Sequence, residues 1–169
     1  AQADWQALLA TDSFVQARKH LANGDQDLAA REWSTIAMID SYESRHRLEA
    51  WHHLRGIGIQ PDESFAADAW GVVAEVAMDA SHDVLAAYVD GSVRLLHHLG
   101  GATVIEAAPT EVAEPAAGFL AVAQQAAQVI GVWDQDQLPP LPAGHTRFTI
   151  LTAGGLRFGQ GPDEVFRAD

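Results

Sequence analysis

"HDVLAAYVDGSVRLLHHLGGATVIE", residues 82–106, alternates apolar and small side chains around two glycine turns, and its reading decides the fold. DVLAAYV and SVRLLHHL flank Asp90-Gly91, a strong hairpin signal, because a two-residue type I′ turn needs positive φ at both positions. Gly100-Gly101 supplies the next turn, into ATVIE. A two-residue turn sets the register. Tyr88 then faces Val93, Ala86 faces Leu95, Val84 faces His97 and Asp83 faces His98. On that register His97 and His98 point to opposite faces of the sheet and cannot converge on one metal ion. His97 reads as a core histidine. His98 reads as the cross-strand partner of Asp83, a contact worth up to about 1 kcal/mol. Asp83, His98 and Arg94 are the candidate binding side chains of this hairpin.

Working outward, GVVAEVAMD (71–79) alternates and adds a strand before the hairpin. A meander of about four antiparallel strands results. After it, Thr110 can cap a helix whose stripe of Val112, Ala116, Phe119, Leu120, Ala123, Ala126, Ala127 and Ile130 is apolar, with Gly131 as its stop. DQDQLPPLPAGH (134–145) is an extended, Pro-rich crossover. TRFTILT and LRFG form a second hairpin through Ala153-Gly154-Gly155. PDEVFRAD begins a further helix.

Residues 4–70 read as helical. Asp12 or Ser13 can cap a helix that stops at Asn23-Gly24. Asp25 or Asp27 opens a second, with Ala29, Trp33, Ile36 and Ala37 on one face. Ser41 can cap a third, with Leu48, Trp51 and Leu54 inward and Gly56 at its end. QPDESFAADAW (60–70) reads as a short fourth, with Pro61 in its first turn. ARKHLANGDQDLAAREW (17–33) is faintly similar to one tetratricopeptide repeat, but GIQPDESFAADAW, one repeat further on, lacks the pattern, so no array is expected.

The 169 residues fit one domain, or a domain with a helical appendage. Ten basic residues against 23 acidic ones give a net charge of -13, which opposes nucleic-acid and anionic-membrane partners. The absence of cysteine removes disulfides, thiol nucleophiles and Cys-ligated zinc. AQADWQALLATD (1–12) has no signal-peptide pattern, no apolar run reaches transmembrane length, and the missing initiator Met reads as processing or trimming. The expectation is a soluble, cytoplasmic protein.

ESRHRLEAWHH (43–53) is the metal lead. It holds two E-x-x-H units, Glu43/His46 and Glu49/His52. Such units serve di-iron bundles from different helices. Here they share one helix, separated by roughly 240° of rotation. His46, Glu49 and His53 do share a face, but His46 and His53 stand about 10.5 Å apart along the axis. A solvated polar face is expected, with no metal and no cofactor. LRFGQGPDEVF (156–166) is only loosely like a phosphate loop: Pro162 lacks an N–H, Asp163 and Glu164 repel anions, and no Walker Lys follows. A tight turn into a helix is expected there instead. G-x-S-x-G is absent.

Residues 70–106 and LTAGGLRFGQGP (151–162) resemble a group of uncharacterised bacterial proteins that share a GVVxEV strand, an LAAYxDGSxR hairpin, a following SG turn and FGQGP near the end. The resemblance covers roughly the last two-thirds of the chain. The group has no established activity, so the resemblance assigns no site residue. It does imply a helix after FGQGP. This chain departs from the group at Leu95, His97 and Leu99, where an aromatic, an Asn and a Ser or Thr are usual.

The fold class expected is α+β: a helical part over 1–69, then over 70–169 a two-layer sandwich of antiparallel sheet and one long covering helix. The two parts are expected to form one cooperative unit. Val73, Ala77, Leu85, Ala87, Val89, Leu96 and Ile105 are read opposite Val72, Val76, Tyr88, Val93 and Leu95, so both sheet faces are apolar. The helices before Trp70 are expected to cover the second face, which favours a monomer over a homodimer. The functional expectation is a non-enzymatic binding or regulatory domain acting through protein contacts. The alternative is a small-molecule enzyme or sensor with a pocket between sheet and helices. An open apolar patch separates the first from the second, which requires a pocket with converging polar groups.

Overall fold

The computed structural model describes residues 2–79 and 81–166, with backbone alone for residues 2–9. It divides into two compact units, Ala1–Ala66 and Ala67–Asp169. The boundary falls just before the point where the helical period gives way to alternation.

The first unit holds α1 (Gln2–Ala22), α2 (Gln26–Met38) and α3 (Ser44–Gly56). α1 runs unbroken through Asp12 and Ser13, so neither is a cap. It stops where Gly24 takes a φ of +84°, a value that favours glycine. Asp25 precedes α2, which buries Ala29, Trp33, Ile36 and Ala37. Glu43 rather than Ser41 precedes α3, which buries Trp51 and Leu54. α3 also buries His46 and Ala50, so it packs on a second face that sequence reading gave to solvent. No helix forms over residues 60–70. Asp62 closes a single turn instead, accepting Ser64 N–H on its side chain and Ala66 N–H on its carbonyl. The first strand already begins at Ala69, leaving no room for a helix.

The second unit contains β1 (Ala69–Ala77), β2 (His82–Tyr88), β3 (Val93–Leu96), β4 (Ala102–Ile105), α4 (Thr110–Ala127), β5 (His145–Thr152), β6 (Gly155–Pro162) and the short α5 (Asp163–Phe166). The fold is α+β, with one six-stranded antiparallel sheet in the order β4-β3-β2-β1-β5-β6. β1 is therefore central. It pairs with β2, next in sequence, and with β5, which arrives after α4.

The β2–β3 turn differs from the expected type I′ form. Gly91 N–H donates to Tyr88 O, and Tyr88 N–H donates to Ser92 O. Gly91 has φ +83°, while no residue other than glycine has positive φ among the described residues. This is a three-residue loop with a glycine bulge, closed further by Ser92 N–H on the Asp90 carboxylate. The register moves by one: Ala87 faces Val93, Leu85 faces Leu95 and Val84 faces Leu96. A one-residue slip turns every side chain of a strand to the other face. Leu85, Ala87 and Ile105 thus join Val72, Val93 and Leu95 on one face, and Tyr88 moves to the other.

α4 lies on the first of these faces. Ala123 and Ala127 are buried against Val72, Ala87, Val93 and Ile150, with Val112, Ala116, Phe119 and Leu120 beside them. The apolar stripe is the one read from sequence as far as Ala127, where the helix ends short of the expected stop at Gly131; Pro109, in extended conformation, precedes the helix and Thr110 is its first residue. Gln124 Oε1 accepts Ala69 N–H and fixes the helix to the start of β1. On the opposite face the Pro-rich connector packs across β5 and β6. Arg147 bonds the Glu75 carboxylate with two nitrogens (2.7 and 3.2 Å) and Pro139 O with the third (2.6 Å). Trp133 donates its backbone N–H to Leu156 O and meets the Phe158 ring edge-on. Gly159 and Gly161, read as a turn, are β6 residues paired with Phe148 and Thr146. No phosphate-type loop exists there.

Candidate functional site

The second unit presents two distinct surfaces: the end of the β2–β3–β4 meander, and the flanks of α4. At the first, β3 ends at Leu96, so His97 and His98 leave the sheet. His97 N–H donates to Gly101 O and Gly100 N–H donates to His97 O, the same pattern as at Tyr88–Ser92. Gly100 takes φ +88°. Within such a turn, successive side chains no longer alternate at 180° as they do in a strand. The expectation that the two histidines face opposite sides is therefore overturned. Their rings lie 4.3 Å apart, and His97 is exposed rather than a core residue.

Asp83 and His98 do meet, but from the turn rather than as directly opposed strand partners. Oδ1 of Asp83 accepts both the backbone N–H of His98 (2.7 Å) and its Nδ1 (2.8 Å). These hydrogen bonds, that from the backbone N–H first, hold the Asp83 carboxyl below the usual carboxylate range. His97 Nδ1 accepts Leu99 N–H at 3.2 Å. His98 also borders a recess of about 360 Å³ lined by Val76, Met78, Asp79, Ser81 and Asp163. Arg94 does not belong to this group. It pairs with Ala86 and Val104 on the face away from Asp83.

The flanks of α4 are different in kind. One groove, about 490 Å³, has Ala74, Leu85, Ala87 and Val93 as its floor and Val112, Pro115, Ala116 and Phe119 as its wall. A second, about 510 Å³, runs over Val72, Phe148 and Ile150 beside Val122, Ala126 and Ile130, with Phe166 at its far side. Glu111 borders the first and Gln160 the second; the rest of each lining is apolar or glycine. Leu85 and Val122 are exposed there. The sequence stripe showed which α4 residues pack inward; it did not show that the sheet is wider than one helix can cover.

In the first unit, His46, Glu49 and His53 do not meet at one point, as the axial spacing required. The solvated face expected for them is corrected: His46 is buried near Phe14, and His53 stacks on Trp33 at 4.8 Å. Burial, then the neighbouring His52, push the His53 pKa below its ordinary 6.5 against the pull of Glu49. Glu49 sits 3.9 Å from His53.

Among the described residues, no helix is long and apolar enough to cross a membrane. No protein family, curated protein or solved structure matches the chain.

Proposed function

We propose that the second unit is a non-enzymatic binding or regulatory module acting through protein contacts, and that the grooves beside α4 receive the partner. The observation that carries this reading is the lining: two open troughs of aliphatic and aromatic side chains with almost no polar group turned into them. A catalytic pocket needs converging polar groups, and that is the argument against the small-molecule alternative at this position. The partner is a segment with apolar anchors at helical spacing, laid alongside α4. Its flanks are basic, since Glu111 borders the first groove and exposed Glu106 and Glu114 stand nearby in sequence. The net charge of -13 repels a second copy and favours such a partner.

Selection of peptides from a displayed library on the full chain tests this. Enriched peptides should combine apolar anchors at i, i+4 with Lys or Arg. They should shift the amide signals of Leu85, Val93 and Phe119, and lose binding to Leu85→Glu when its melting profile is unchanged. Peptides that map elsewhere, or that ignore Leu85→Glu, would refute the reading.

A further inference from the structure

We propose that Asp83, His97 and His98 form a binding site for a divalent transition-metal ion of the zinc type. One ring nitrogen of each histidine and one carboxylate oxygen of Asp83 all lie within 4.8 Å of one another. Among the described residues no other three histidine or carboxylate side chains come together in this way. Two imidazoles and a carboxylate are the donor set that suits zinc, nickel or copper rather than calcium or magnesium. Tetrahedral zinc with bonds of about 2.0–2.1 Å needs donors about 3.4 Å apart. His97 is exposed, and its Nε2 is the ring nitrogen not already taken by Leu99 N–H.

The surroundings already prepare the ligands. Asp83 Oδ1 and His98 Nδ1 stand 2.8 Å apart, and an ion bound by both takes the place of the proton between them. The His98 backbone N–H also donates to Oδ1 and holds the carboxylate beside the imidazole. The recess beside His98 carries Asp79 and Asp163, whose carboxylates add an attractive field for a cation and give water a place to complete the coordination. The turn, not the strand, makes the site. Only because Gly100 closes a tight loop do neighbouring histidines fall on one side.

The test uses the full chain without an affinity tag, and Zn2+ and Co2+ as probes. Calorimetry should give one Zn2+ per chain, and nuclear magnetic resonance should place the perturbed imidazoles at His97 and His98. Co2+ should bring visible absorption of a low-symmetry site. His97→Gln and Asp83→Asn should each weaken binding by roughly tenfold or more, while His82→Gln leaves it unchanged. The wild-type imidazole shifts decide the matter even where a variant folds poorly. No saturable binding, or zinc spread over the other histidines, overturns the proposal.

Discussion

His53 shows what a single residue in the helical unit contributes. Its pKa in the folded chain is lowered, so at pH values below 6.5 the unfolded chain binds more protons than the folded one. Stability is therefore complete above pH 6.5, falls as the pH drops through that value, and levels off below the lowered folded pKa. The unfolding midpoint in urea should decline between pH 7.5 and 5.5 more steeply in the wild type than in His53→Gln. A folded-state His53 pKa at or above 6.5 by resonance titration would refute this. Sequence showed that His46 and His53 share a helix face and cannot share an ion, because axial rise is a property of the helix alone. It did not show that the face is covered. Phe14, which lies near both rings, comes from α1, and tertiary pairing of that kind leaves no mark in α3 itself.

At the scale of the element, the connector between α4 and β5 depends on one side chain. Arg147 is nearly buried and spans Glu75 on β1 and the carbonyl of Pro139. Arg147→Met leaves Glu75 without its charge partner and Pro139 O without its donor. Breaking such a pair from one side costs about 2–4 kcal/mol, reduced from the fully buried case because Glu75 retains some solvent. The double variant Arg147→Met with Glu75→Leu should recover most of that loss, read as the urea midpoint of unfolding followed by the amide signals of β5. Additive losses would show that the pair and the connector are independent. The elements themselves were largely legible: α4, both hairpins and the strand at Val72 follow from periodicity. The turn class was not. Asp90-Gly91 suits both the two-residue loop and the bulged three-residue loop, and only the pairing of Leu85 with Leu95 selects the second. That ambiguity hid the convergence of His97 and His98, because the site exists where the strand has already ended.

At the scale of the whole chain, the boundary after Ala66 separates two units that each have a buried core. The fragment spanning residues 67–169 should therefore unfold cooperatively by itself, with dispersed amide resonances. A molten or aggregating fragment would instead show that the helices belong to the same folding unit, as sequence reading had it. Composition removes thiol chemistry, because the chain has no cysteine. Groove shape was invisible in it, since an apolar side chain beside α4 has the same sequence signature as one beneath it.

The central place of β1 has a consequence for how the chain is made. Val72 meets Ala87 from the next strand and Ile150 from the far end of the unit. Synthesis from the N-terminus delivers β1 to β4 early, and their short-range hairpins close without delay. β5 emerges only after α4 and the connector. In the interval β1 is an edge, with backbone donors and acceptors open to any passing strand. Docking of β5 into that slot closes the longest loop of the sheet, and the hazard of the nascent chain is a foreign strand arriving there first.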